Sequence, residues 1–475
     1  MSPLKWLKRP AVPFWSALVV FFALHLYKLS APPNGYHQWR ESDTAAVILN
    51  YYQEDMNFLH PRINQRGASS GITGSELPVY NYASALLYHL SGPSHASARL
   101  LTVLAACLGL WLFRRIVTTI SGGKIALYAV WAMAFSPLYF FYSFKIMPDI
   151  WMLVSLLGAV YLFLRYCATD NIGYLAASAL CLILSACIKP LGLSVYLVFV
   201  YMRFRTKSGR CLKELLLFTA YIGVTFGAVY GWFSYARHVN EVYASGGFYM
   251  GQYLHRFIDL MLKPAFFKKL FLQWPFEIWI GWVLTPVFGY GLYRAIRFGT
   301  GKVYLVWILA SYIVFALVSS HSHTHDYYTL IIVPPLAALT GTGLNHVVER
   351  VPWRRLFLTA VVLLVPLGAV ARTYHRIADV AEFEQMRSDA DRLIPRGSLV
   401  MIQDTTTAIR LYQVNRNGWP LRFGVTYSEV ERLIQQGAEY LVIDGPIAGY
   451  TDSLRLLFDE SHERVGEMYC YSLRK

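Results

Sequence analysis

Charge is what this sequence has least of. Only 15% of its 475 residues are Asp, Glu, Lys or Arg, while 56% are hydrophobic. A soluble domain carries about 25% charged residues, so an ordinary soluble fold is excluded. Acidic residues are the scarcer sign, 28 against 43 basic, for a formal net charge of +15. Long basic blocks are missing, because the Lys and Arg come in short clusters between apolar runs. That pattern argues against nucleic acid and for cytoplasmic loops facing anionic membrane lipids. Cysteine is sparse and lacks a CxxC pair: Cys107, Cys167, Cys181, Cys187 and Cys211 lie in or beside apolar runs, and Cys470 stands alone in the tail. Neither a zinc site nor a disulfide framework follows from such spacing. Met1–Pro10 is basic ahead of an apolar run, but no small-residue cleavage site follows, so the run is expected to remain as a first helix.

What is present is apolar and aromatic. The mean hydropathy is +0.38. There are 34 Tyr, 28 Phe and 13 Trp, the residues that anchor helix ends at a bilayer surface. Reading runs of about 17–25 apolar residues as spans gives about eleven transmembrane helices. They fall at 11–31, 98–118, 124–142, 148–166, 172–188, 190–204, 213–235, 275–295, 302–320, 327–347 and 355–372. With the N-terminus cytoplasmic, the basic clusters Lys5/Lys8/Arg9, Arg114/Arg115/Lys124, Arg203/Arg205/Lys207/Arg210/Lys213, Arg294/Arg297/Lys302 and Arg350/Arg354/Arg355 all share one side. One missed span would scramble that alternation.

The other side receives 32–97, 143–147, Lys189, 236–274, His321–Asp326 and everything after about 373. Within the long first loop, Asp43–Gln53 suits a short interfacial helix and Pro78–Leu90 a second membrane-hugging segment. The tail reads as helix 378–393, strand 398–403, helix 405–414, helix 425–436, strand 440–443 and a final strand 464–473. The fold class is thus a polytopic α-helical membrane protein, residues 1–372, with a small α/β domain at 373–475.

Four polar clusters gather on the outer side: His37–Asp43; Arg62, Arg66, Glu76 and Tyr80; Lys145 to Asp149; and His321 to Tyr328. Three ionisable groups, Arg40, Glu41 and Asp43, crowd one membrane boundary where spanning requires none, which marks Asp43 as a candidate catalytic carboxylate. The ordered motifs HQWRESDTAA, PRINQRG, ELPVYNY, MPD and HDYY, the last before a run with Pro334-Pro335, resemble the polytopic GT-C glycosyltransferases. Among these the chain is most similar to the bacterial family-39-like enzymes, relatives of protein O-mannosyltransferases and lipid A aminoarabinose transferases. The resemblance covers roughly residues 10–350.

The resemblance implies a polyprenyl-phosphate sugar donor, a lipid, glycan or protein acceptor, and inverting transfer outside the cytoplasm, in a bacterial inner membrane. It implies Asp43 as base, Asp149 as a second catalytic acid and Glu76 as a substrate-side group. Displacing a phosphate from an anomeric carbon needs a carboxylate for the acceptor proton and donors around the departing charge. Arg40, Arg62, Arg66, Lys145, Lys189, Tyr327 and Tyr328 are the phosphate candidates, and His37, Tyr80, His325 and Asp326 complete the substrate-facing set. The sequence points to no certain cofactor, although His321, His323 and His325 alternate as a divalent metal site would.

Each reading has a structural rival. Asp43 suits a helix N-cap, Asp149 a first-turn carboxylate, and the Arg62/Arg66 pair a lipid-headgroup contact. A flippase for lipid-linked sugars and a non-catalytic scaffold are the rival functions. A flippase places ionisable groups near the bilayer midplane, whereas here they crowd one face. The sidedness has a direct test. Ser208→Cys is expected to be shielded from an impermeant thiol reagent added outside, and Asn415→Cys to be labelled. The reverse labelling overturns the topology.

Overall fold

In hydrocarbon every backbone N–H and C=O must be satisfied within its own segment, so the apolar runs become helices. The computed structural model describes residues 12–206, 211–243, 263–375, 380–406, 409–422, 426–447, 451–459 and 462–473. Lys5, Lys8, Arg9, Lys207, Arg210 and the stretch 244–262 lie outside the described residues. The helices run α1 (Val12–His25), α2 (Gln38–Gln53), α3 (Val79–Ser91), α4 (His95–Ser121), α5 (Gly123–Ala134), α6 (Pro137–Tyr142), α7 (Asp149–Thr169), α8 (Ile172–Ile188), α9 (Tyr196–Thr206) and α10 (Cys211–Val242). Later helices are given by their residues.

Among the described residues, five helices are long and apolar enough to cross a membrane: His95–Ser121, Asp149–Thr169, Leu212–Val242, Asp326–Arg350 and Leu356–Tyr374. Phe14–His25, Gly123–Ala134 and Ile172–Ile188 are shorter apolar helices. Three expected spans are broken. The run 124–142 stops at Ala134, because the Ser136 hydroxyl caps a new helix whose first residue is Pro137. The run 275–295 is interrupted at Gly281, whose φ of 81° is left-handed, and a straight helix begins only at Thr285. The run 190–204 opens with a 3-10 segment, Pro190–Val195, before α9. Trp282–Phe298 and Lys302–Leu317 meet at 112°.

The chain divides into two compact units. One comprises Met1–Leu29, Arg99–Phe233 and Tyr249–His375; the other comprises Ser30–Ala98, Ser234–Phe248 and Arg376–Lys475. The first outer loop therefore groups with the tail, whereas the sequence boundary at 372 had left it with the spans.

In the first unit, small residues let helix backbones approach. The helix Val333–Arg350 packs on both α5 and Thr285–Phe298. A Cβ on Gly343 would lie 2.1 Å from the Val287 carbonyl oxygen, and one on Gly291 2.0 Å from that of Leu339. Helices α7 and α8 run antiparallel in fixed register. Ser185 donates to the Met152 carbonyl (2.8 Å) and Ser178 to that of Ala159 (2.9 Å), so each step back along α8 matches a step forward along α7.

In the second unit the tail forms a five-stranded sheet, β1 (Leu399–Gln403), β2 (Asn417–Leu421), β3 (Ala438–Ile443), β4 (Glu463–Val465) and β5 (Met468–Ser472), in the order β2-β1-β3-β5-β4. β1 pairs parallel with β2 and β3, and β5 pairs antiparallel with β3 and β4. Alternation fills both faces: Val400 and Ile402 pack with Met386 and Ala390, while Met401 packs with Val430 and Leu433. The expected final strand 464–473 is a hairpin turning at Gly466. The edge strand β2 falls where no strand was expected, since Gly418 and Pro420 interrupt it. Its edge is covered by the first outer loop: Gly418 N–H donates to the Asn64 carbonyl (3.2 Å) and Gly67 N–H to that of Gly418 (3.0 Å).

Gly343→Val forces apart a crossing with no room for a side chain and is expected to destabilise by about 1–3 kcal/mol. Gly368→Val, where nothing lies within 4 Å, is the control. Equal thermal unfolding midpoints for both variants in detergent would remove the close crossing.

Candidate functional site

The first site belongs to the second unit and is built on α2. His37 takes a left-handed conformation (φ 60°, ψ 29°) that turns the chain into the helix at Gln38. The helix thus starts five residues earlier than the expected Asp43. Asp43 lies in its second turn, so the N-cap reading of that residue is corrected. Arg40, one turn back, shares its face and donates Nη1–H to Asp43 Oδ2 at 3.0 Å. The other arm of the same guanidinium donates to Glu76 Oε1, returned by the loop that leads into α3. Glu41, on a different face, is fully buried.

One guanidinium between two carboxylates leaves a net negative charge. The Asp43 side chain stays 31% exposed, open to an incoming hydroxyl. Crowding by protein atoms pushes its carboxyl above the usual Asp range, against the lowering pull of Arg40. This is the direction that makes a better proton acceptor.

The remaining candidates of this unit are otherwise engaged. Arg66 grips Glu54 through two bonds (3.0 and 2.5 Å), and Arg62 reaches Asp55 at 3.4 Å, so both bind the acidic residues just after α2. Tyr80 is fully buried and donates its hydroxyl to the Ala98 carbonyl (3.0 Å); it holds α3 to the start of α4 and presents no surface to a substrate. The His37 ring lies 4.0 Å from that of Tyr36. In the sheet, Asp404 and Asp444, which end β1 and β3, are spent on turns. Asp404 accepts from the Thr406 and Arg410 N–H groups (both 2.8 Å), and Arg410 bridges to Asp444 at 2.6 Å.

The second site belongs to the first unit. Asp149 opens α7 and Lys189 ends α8, and the register of the two helices brings them together. Lys189 Nζ donates to Asp149 Oδ1, with both side chains buried. Asp149 Oδ2 has no hydrogen-bond partner among the described residues. The first-turn reading of Asp149 is correct in position, but an ion pair has been added to it. Lys189 lies over the rings of Tyr327 (4.1 Å) and Tyr328 (4.9 Å), which offer it their π-faces. Lys145 is buried over Phe141 at 5.0 Å. Asp326 is held at both oxygens, by the Tyr142 hydroxyl and by Arg372 Nη2 (2.8 Å). Tyr142 and Arg372 gave no separate signal, one lying in an aromatic run and the other at a span end.

The alternating histidines do not converge. Ser319–Ser322 is a helical turn, so residues two apart point away from each other. The His321 and His325 rings sit 6.0 Å apart, while His323 faces Phe266. Among the described residues no three His, Cys, Asp or Glu side chains gather as a metal site. Burial and the Lys189 charge bring His321 down to about 4, so it is neutral at physiological pH.

Residues 75–232 match the family described as dolichyl-phosphate-mannose-protein mannosyltransferase. No curated protein sequence matches the chain. Among solved structures, ArnT from Cupriavidus metallidurans bound to undecaprenyl phosphate superposes with a TM-score of 0.71 at 15% identity, over 99% of this chain and 98% of that one. The Archaeoglobus fulgidus oligosaccharyltransferase gives 0.59 at 12% identity over 93% and 70%. Its complex AglB with an inhibitory peptide and a dolichol-phosphate gives 0.55 at 12% over 98% and 74%. Residues 75–232 are thus similar to the mannosyltransferase family, and the chain shares the fold of ArnT and of the oligosaccharyltransferase.

Removing one partner of a buried ion pair strands the other. Lys189→Met is expected to destabilise by about 3–5 kcal/mol, and Asp149→Asn combined with Lys189→Met to recover most of it. Thermal unfolding of the three proteins in detergent measures both. A double variant no more stable than the single one would overturn the pairing.

Proposed function

We propose that this chain is a membrane glycosyltransferase that moves a sugar from a polyprenyl-phosphate carrier to an acceptor hydroxyl outside the cytoplasm, with inversion. The observation that carries the reading is the half-open Asp43 carboxylate, steadied by Arg40 and raised in basicity by its surroundings. Its support from relatives is the mannosyltransferase family match and the GT-C fold shared with ArnT, a protein solved with undecaprenyl phosphate.

In the step proposed, Asp43 takes the proton as the acceptor O–H bond breaks, and the freed electron pair forms the new bond to the anomeric carbon. The bond from that carbon to the phosphate oxygen breaks on the opposite face, and the phosphate leaves with its electrons. Negative charge grows on the phosphate, and buried cations answer it best. Lys145 and Lys189 are proposed for that role from the sequence resemblance, and within the first unit Asp149 and the Tyr327–Tyr328 rings position Lys189. Arg62 and Arg66 are assigned to holding the loop through Glu54 and Asp55.

A positioned base contributes about 10²–10⁴-fold, so Asp43→Asn is expected to lower transfer by that factor with unchanged yield and thermal stability. The base works ionised, so kcat/KM falls as pH drops through the raised Asp43 pKa. Arg40→Ala, which removes the lowering pull, shifts that acid limb to higher pH. Wild-type transfer by Asp43→Asn in a membrane assay with polyprenyl-phosphate sugars would sink the assignment.

A further inference from the structure

A polar cleft of about 660 Å³ opens in the second unit, where the end of α2 meets the tail domain. From the loop side it is lined by Tyr52, Gln53 and His89, and from the tail by Arg396, Asn415 and Asn417. Its size lies within the range of ligand sites, about 300–1,000 Å³. The chemistry of its wall is specific. Gln53, Asn415 and Asn417 carry amide side chains that make no hydrogen bond to another described residue. Each amide both donates and accepts, which matches the hydroxyl groups of a sugar. The Tyr52 and His89 rings, 4.9 Å apart, supply an aromatic surface beside them.

The charges around the cleft are largely spent. Glu54 is held by Arg66, and Arg416 is buried against Asp391 (3.0 Å) and the carbonyls of Ala390 and Val414. Arg396 points outward, 79% exposed. What remains inside is neutral and polar, a wall suited to a polyhydroxyl ligand more than to an anion. The cleft is also in line with the base. Asn50, which borders it, lies seven residues after Asp43 on the same helix face, about 10 Å along the axis. Asn50 is fixed there by bonds to the Arg62 carbonyl and Asn64 Oδ1 (both 2.8 Å).

We infer that this cleft is a carbohydrate subsite, where the acceptor glycan is held while one of its hydroxyls reaches Asp43. The tail domain then supplies half of the acceptor recognition. The inference rests on the transferase reading of Asp43, but its test does not depend on turnover.

The test is saturation-transfer NMR on the full chain in nanodiscs. The probes are soluble oligosaccharides built from hexose, 6-deoxyhexose and N-acetylhexosamine, with a Ser/Thr-rich peptide run in parallel. Wild type and Asp43→Asn are expected to transfer saturation to at least one oligosaccharide. Gln53→Trp, which fills the cleft from an exposed position, is expected to bind it at least about tenfold more weakly. Asn417→Ala, which removes one amide without filling space, is expected to weaken binding of the same sugar. No oligosaccharide signal from wild type, equal binding by Gln53→Trp at an unchanged melting temperature, or a response to the peptide alone each overturns the subsite. Sugar binding retained by Asp43→Asn alongside retained transfer would remove the base and leave the subsite standing.

Discussion

The second unit turns on one guanidinium shared by two carboxylates. Arg40 and Asp43 are neighbours on α2, but Glu76 arrives from 36 residues further on, so the bond to Arg40 closes the whole first loop. Closing it requires the chain to turn back. The Arg62–Ile72 bridge and the left-handed Gly71 (φ 70°) make that turn. The loop is then pinned to the open edge of the sheet at Gly418. The tail domain is therefore part of what fixes Glu76 on Arg40, and so of what sets the charge beside Asp43. An ammonium in place of the planar fork has no second fixed arm to reach both acids.

The pattern of the sequence was most readable where physics is simplest. Hydropathy located the helices, and the order of motifs pointed to the GT-C fold that the solved structures share. Local breaks were harder to see. Ser136-Pro137 and Gly281 sit in apolar runs whose hydropathy continues across them, so length alone suggested single spans. β2 was missed because Gly418 and Pro420 weaken any strand signal, and its pairing with β1 and the loop is long-range. The alternating histidines suggested a metal site, but the helical turn Ser319–Ser322 ends between His321 and His325, and His325 is extended. Tyr80 has the residue type of a binding group and the burial of a core one. Asp149 and Lys189 were both singled out, yet their pairing needs the register of α7 against α8, which no local pattern carries.

That register also bears on what kind of protein this is. α7 has 21 residues, about 31 Å of helix, close to the hydrocarbon thickness of a bilayer of about 30 Å. Asp149 stands at its first residue and Asp170 just past its last. At the first end Asp149 takes Lys189; at the other Asp170 takes Arg203 (2.9 Å), which also grips Glu214 (2.6 Å). The ion pairs thus bracket the apolar length of the helix. A charge at the midplane is costly and marks a transport path, whereas a pair at a helix end meets headgroups and water. Lys189 therefore stands at the end of that apolar length and not within it. A flippase has to carry a lipid phosphate inward, and the interior of α7, from Ile150 to Leu164, offers it no Asp, Glu, Lys, Arg or His side chain.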